Sequence, residues 1–226
     1  MKTTIAVALL LASGVALGSA LDLISRTDQT TALRAALTQG AQAAVAKLGV
    51  TDGFLGNPKV KIALPGKLAK SEKMLRNFGL GPQIDSLTTT MNRAAEAAVP
   101  EARVLLVDAV KQMSVQDVAG ILNGGPDSAT QYFRGKTSES LTARFLPIVR
   151  TQTAKLDLAS RYNAVAGKAA AFGLVDAKDS SVENYVTQKA LEGLFTMIAE
   201  EEAAIRANPL GQASKLLQKV FSAAGQ

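Results

Sequence analysis

Apolar residues recur along this chain at steps of three and four, and alternation at every second residue is confined to Val60-Lys61-Ile62 ahead of Pro65. The helical period predicts an all-α fold. The first helix should cover about Asp28–Leu48 and stop at Gly49. Asp52-Gly53 and Asn57-Pro58 then mark a loop. A short helix is expected over about Gly66–Phe78, ended by Gly79 and Gly81. Pro82 opens another that runs to Val99, and Pro100 breaks it while serving as the first residue of the next. That next helix, Glu101–Met113, carries Val104, Leu105, Leu106, Val107, Val110 and Met113 around most of its circumference, which predicts a place in the middle of a bundle. Ser114 and Asp117 have the spacing of a capping box for a helix ending near Leu122. Asn123-Gly124-Gly125 terminates it, and Pro126-Asp127 starts a helix with Tyr132 and Phe133. Ser138 to about Leu156 reads as a separate amphipathic helix kinked at Pro147. Further helices are expected over about Ala159–Phe172, over about Ser181–Ala207 before Asn208-Pro209, and up to about Phe221. With no internal repeat and no obvious linker, residues 21–226 should form a single multi-helix, bundle-like domain.

Residues 1–20 read differently. Lys2 is a basic start, Ile5 to Leu17 an apolar run, and Gly18-Ser19-Ala20 supplies the small residues a signal peptidase reads. Such a segment is a signal peptide, too short for a spanning helix. Cleavage is expected near Ala20, leaving a soluble periplasmic or secreted chain with no transmembrane segment.

Composition changes the picture mainly by subtraction. The 226 residues include no His, no Cys and no Trp. Without His and Cys the chain cannot assemble Ser-His-Asp or Cys-His nucleophile systems, nor the usual nitrogen and sulfur ligand sets for zinc, haem or iron–sulfur. No cofactor and no metal are expected. An exported chain without cysteine has no disulfides, so packing must carry its stability. The 47% hydrophobic content is enough for a sizeable core.

Carboxylates remain as the candidate chemistry. On a wheel of the long C-terminal helix, Leu191, Leu194, Phe195, Ile198 and Ile205 share one face, and Glu202 falls near its middle. A buried carboxylate needs a cation or hydrogen-bond donors. Glu202 is therefore either a polar group inside a cleft or half of a buried ion pair with an Arg or Lys, and buried pairs specify register more often than chemistry. Glu96, Glu101 and Asp108 could join it in an all-oxygen cation site, or pair singly with Arg93, Arg103 and Lys111. The ferritin-like di-metal arrangement is excluded, because its Glu-x-x-His pairs need histidine. Asn123-Gly124-Gly125-Pro126-Asp127 ahead of a helix has the look of an anion cradle, though its glycines match neither nucleotide-binding spacing. Plain punctuation between two helices explains it as well. The ligand-contact candidates are Glu202, Glu96, Asp108, Tyr132 and Arg134.

Charge is uneven. The net charge is +6, and the pI is about 9.6. Gln131 to Ala170 holds seven basic residues against Glu139 and Asp157. Lys67, Lys70, Lys73 and Arg76 line one side of a helix whose other side is apolar; such helices lie on anionic membranes or are simply solvated. Few stacking aromatics and no recognisable motif argue against nucleic acid.

Several runs resemble a known family: Asn92-Arg93-Ala94-Ala95-Glu96-Ala97-Ala98, Val107-Asp108-Ala109-Val110-Lys111-Gln112-Met113, Ile121-Leu122-Asn123-Gly124-Gly125, Ala129-Thr130-Gln131-Tyr132-Phe133-Arg134, Tyr185 to Phe195, Ile198 to Glu202, and Ile205 to Pro209. Together they resemble the bacterial exported domain-of-unknown-function family 4197 over nearly all of the chain after residue 20. The resemblance implies an envelope-associated helical protein of Gram-negative bacteria and carries no activity onto any residue. Some relatives look like lipoproteins, and this chain lacks the cysteine that route requires.

Two functional classes follow as expectations. One is a non-catalytic binding or interaction module of the cell envelope, taking a small apolar or anionic ligand or an envelope protein. The alternative is a carboxylate-based hydrolase acting on an envelope glycan or other substrate, which needs two facing carboxyl groups.

Overall fold

A computed structural model describes residues 25–155, 162 and 181–207. The fold is all-α. The chain forms α1 (Arg26–Leu48), α2 (Gly66–Leu75), a π-helical segment (Arg76–Leu80), α3 (Gly81–Ala98), a 3₁₀ turn (Val99–Glu101), α4 (Ala102–Lys111), α5 (Val115–Leu122), α6 (Ser128–Thr153) and α7 (Val182–Ala207). Among the described residues no helix is long and apolar enough to cross a membrane. The expected signal peptide, the stop at Asn208-Pro209 and the last helix lie outside the described residues. So does the helix expected over Ala159–Phe172, apart from Tyr162, which is helical and buried.

Among the described elements α4 and α5 pack on α1 and α6, while α7 packs on α6, α1 and α3. Its sequence explains this. Between Val182 and Ile198 it buries Tyr185, Val186, Ala190, Leu191, Leu194, Phe195 and Met197, more than one stripe's width. α1 approaches it over small residues. Ala32, Ala36, Gly40 and Ala44 recur every fourth position and are all buried. A Cβ added at Gly40 would lie 3.5 Å from the Glu201 Cβ, so the two helices are close there.

The central place expected for the helix after Pro100 is corrected. Among the described elements α4 packs mainly against α1 and α6, and one side of it is open. It buries Ala102, Leu106, Ala109 and Val110, a stripe at helical spacing that continues to Met113. Val104 on its other side is 65% exposed, while Leu105 and Val107 are half-buried. An apolar circumference shows which residues can be buried, and only the number of neighbouring helices decides how many are. The two helices expected on either side of residue 138 are in fact one, α6, which runs through Pro147. Gly135 and the hydroxyl residues do not interrupt it: Thr137, Ser138 and Thr142 each donate their hydroxyl to the carbonyl four residues back.

The local signals held elsewhere. α1 stops at Leu48 as expected but starts at Arg26, two residues before Asp28, because Ser25 caps it, its Oγ accepting from the Asp28 N–H at 3.1 Å. Gly79, with φ of 79°, provides the left-handed residue at the kink between the 66–80 stretch and α3. The alternating segment before Pro65 is extended, burying Val60, Ile62 and Leu64 and exposing Lys61 and Ala63. Its partner is the side chain of buried Asn92. The Asn92 Oδ1 accepts from Ile62 N–H at 2.8 Å, and its Nδ2 donates to Ile62 O at 2.9 Å. One amide thus replaces a neighbouring strand.

Ser114 and Asp117 form the capping box of α5 reciprocally: Asp117 N–H donates to the Ser114 Oγ at 3.1 Å, and Ser114 N–H donates to the Asp117 carboxylate at 2.8 Å. Ser114→Ala should cost about 1 kcal/mol, read by urea denaturation. The Ser114 backbone N–H, then its hydroxyl, hold the Asp117 carboxyl below the usual carboxylate range. This contribution is complete above the ordinary Asp pKa of about 4 and fades as pH falls through the depressed folded value. The stability gap between wild type and Asp117→Asn should therefore narrow in acid.

Candidate functional site

Two buried carboxylates hold the molecule together in the same manner. α6 begins without a side-chain cap from its own flank, Asp127. Its free N–H groups are met instead by Glu202 of α7, which is only 6% exposed. One oxygen of Glu202 accepts from Ala129 N–H at 3.0 Å; the other accepts from Thr130 N–H at 2.9 Å and from the Thr130 hydroxyl at 2.8 Å. Arg206, one turn further along α7, donates to the first oxygen through Nε at 3.1 Å and Nη2 at 3.0 Å. The same Nη2 reaches the Ile121 carbonyl at 3.0 Å and the Ser128 Oγ at 2.8 Å.

The electrostatics of this clamp are specific. Glu202 places negative charge at the N-terminus of α6, and Arg206 places positive charge at the last turn of α5. Each charge opposes the local helix dipole while pairing with the other. The glycine turn is the piece being clamped. A Cβ at Gly124 would lie 2.5 Å from the Gly120 carbonyl and 2.7 Å from the Ser128 Cβ, so only glycine fits. The helix start after Asn123-Gly124-Gly125-Pro126-Asp127 does cradle an anion, and the anion is the chain's own Glu202.

Glu96 on α3 does the corresponding job for the 51–56 turn. It is 5% exposed. Its Oε1 accepts from Phe54 N–H at 3.0 Å and Leu55 N–H at 3.1 Å, and its Oε2 accepts from Arg93 Nη1 at 2.6 Å. Arg93 continues to Asp52 at 2.7 Å. Glu96 first and Asp52 second raise the Arg93 pKa.

The five candidates do not converge on one site. Glu202 and Glu96 lie in separate internal clamps. Arg134 is exposed and stacks over the Phe195 ring, 4.6 Å from its centroid. Asp108 and Tyr132 do share a place, an open groove of about 300 Å³ between α4 and α6. Leu105 and Ala109 are the apolar part of its lining; Gln112, Lys136, Thr137 and Ser140 add polar groups. The Tyr132 hydroxyl donates to the Ala109 carbonyl at 2.8 Å, fixing the ring against α4. Burial, then the charge of Asp117, raise the Tyr132 pKa. Asp108 is half-exposed and pairs with Lys111 at 3.0 Å. Lys136 sits 5.8 Å from the Tyr132 ring centroid. Gln112, Lys136, Thr137 and Ser140 went unremarked in the sequence as site residues, because only the packing of α4 on α6 brings them together. Among the described residues, no three acidic side chains cluster in a way that could hold a metal ion.

The family model for a protein of unknown function, DUF4197, matches residues 23–222. The chain belongs to this family. No curated protein and no solved structure matches it. Within this DUF4197 chain the match spans every element described above, from α1 to α7.

Proposed function

We propose that this chain is an exported, non-catalytic binding module of the cell envelope, and that the α4–α6 groove is where it binds. The observation that carries the reading is the contrast between the carboxylates. Glu202 and Glu96 are enclosed and occupied by internal donors, whereas Asp108, paired with exposed Lys111, lines an open groove together with Lys136 and with Tyr132, Gln112, Thr137 and Ser140 as further polar groups. Such a lining suits a small ligand with an anionic group toward Lys136 and an apolar part on Leu105 and Ala109. Export rests on the basic start, apolar run and small residues of 1–20, and the family match beginning at residue 23 supports it. The hydrolase alternative needs two carboxyl groups about 5–10 Å apart across a cleft. Among the described residues Asp108 is the one carboxylate in the groove lining.

Native mass spectrometry of the mature protein, purified gently from the periplasm, tests this. A small-molecule adduct is expected on the wild type. The double change Asp108→Asn with Lys136→Gln should lose it while leaving the melting temperature close to wild type, since neither residue is buried. A clean apo mass for the wild type, or an adduct untouched by the double change, would overturn the groove as the binding site.

A further inference from the structure

The kink between α2 and α3 exposes apolar residues that the fold does not use. None of the residues 76–80 is buried. Phe78 is 75% exposed and Leu80 40% exposed, with Gly79 between them in the left-handed conformation. Phe78 has left the helix, at φ −86° and ψ 15°, so it stands at the break between two helices, the apex of that bend. Behind the apex, Lys70, Lys73 and Arg76 follow at three-residue steps, and all are exposed. Glu72 and Asp85 both pair with Arg76, at 2.8 Å and 2.6 Å, and offset its charge, so the cations that this patch offers a partner are Lys70 and Lys73. Arg76 in turn lowers the Asp85 pKa, keeping that pair ionised and local. α2 is tied to the core by Leu75, and its main neighbour among the described elements is the segment that follows it.

An exposed aromatic and an aliphatic residue at a helix kink, backed by exposed lysines, complement one surface chemistry: apolar acyl chains under an anionic headgroup layer. We propose that the α2–α3 apex docks on an anionic lipid bilayer, with Phe78 and Leu80 entering the headgroup layer and Lys70 and Lys73 facing the lipid phosphates. This surface is separate from the α4–α6 groove and does not depend on what binds there. The contact is peripheral and electrostatically assisted, so it weakens as salt shortens the screening length, about 10 Å at 0.1 M.

The absence of tryptophan makes the test direct. Phe78→Trp places a lone indole at the apex, and Val104→Trp places one at an equally open position on α4. With phosphatidylglycerol vesicles, the emission of the Phe78→Trp protein should shift to the blue and resist iodide quenching. The Val104→Trp protein should show neither effect. Phosphatidylcholine vesicles should leave both unchanged. Adding Lys70→Glu and Lys73→Glu to Phe78→Trp should weaken vesicle binding at least about tenfold. The proposal fails if the apex indole does not respond to phosphatidylglycerol, responds equally to phosphatidylcholine, or responds no more than the α4 indole. A blue shift that grows with protein concentration and needs no vesicles would assign the apex to self-association and overturn the membrane reading.

Discussion

Glu202→Ala should destabilise the fold by at least about 3 kcal/mol, the scale of breaking a buried ion pair by removing one partner. The change strands Ala129 N–H and Thr130 N–H, both buried donors, and leaves the Arg206 guanidinium, only 21% exposed, without its carboxylate. Glu202→Gln keeps the shape but offers one acceptor oxygen where two are in use, and its amide nitrogen faces a donor. A loss of about 2 kcal/mol is expected there. Combining Glu202→Leu with Arg206→Met should recover part of the loss, because no uncompensated charge stays buried. Urea denaturation of the four proteins checks the order. If Glu202→Gln melted with the wild type, the clamp would not be holding α5, α6 and α7 together, and Glu202 would return as a candidate for ligand contact.

The same residue shows how far the sequence reaches. The wheel of the long helix put Glu202 on an apolar face, and Glu202 is buried. It could not name the partners: Ala129 and Thr130 are more than seventy positions away, and a backbone N–H leaves no mark in a sequence. The cradle before α6 and the buried carboxylate were each visible as isolated features. Only the packing of α6 on α7 reveals that one fills the other. Glu96 follows the same rule, with the turn at 54–55 about forty positions from its carboxylate. Short-range devices were far more legible. The α5 capping box, the Gly79 stop and the Pro82 start depend on residues within one turn of each other, so spacing alone defines them.

Legibility failed where a local pattern needed a count of neighbours. Val104 belongs to an apolar helix but faces no other element strongly enough to be covered. α6 holds Gly135, Ser138 and Pro147, residues that favour a break, yet it continues because Phe133, Leu141, Phe145 and Val149 anchor one stripe to the core throughout. Tertiary burial outweighs the propensity of single positions. The groove residues illustrate the third kind of gap. Asp108 and Tyr132 stand 24 positions apart in the sequence, and the packing of α4 on α6 decides that they share a surface.

Gly193→Ala should lower stability by about 1–3 kcal/mol, the cost of overpacking a filled core. Gly193 lies in the buried part of α7, where alanine would ordinarily favour the helix by roughly 1 kcal/mol. Packing reverses the sign. A Cβ there would come within 2.6 Å of the Phe54 Cε1 and 3.3 Å of the Val60 Cβ. Phe54 is fully buried, and its ring cannot swing aside cheaply, because the Phe54 and Leu55 N–H groups are pinned by Glu96. The glycine is thus the seat that lets the 51–56 turn lie against α7. Phe54→Leu removes the clashing ring edge and should by itself cost about 1–2 kcal/mol as a smaller, still apolar filling. In Phe54→Leu, the added methyl of Gly193→Ala should become close to neutral, so the double variant should be clearly more stable than the sum of the two single losses. A double-mutant cycle by denaturant unfolding measures this coupling directly. Strict additivity would mean that the turn moves freely away from α7, and the pinning role given to Glu96 would fall with it.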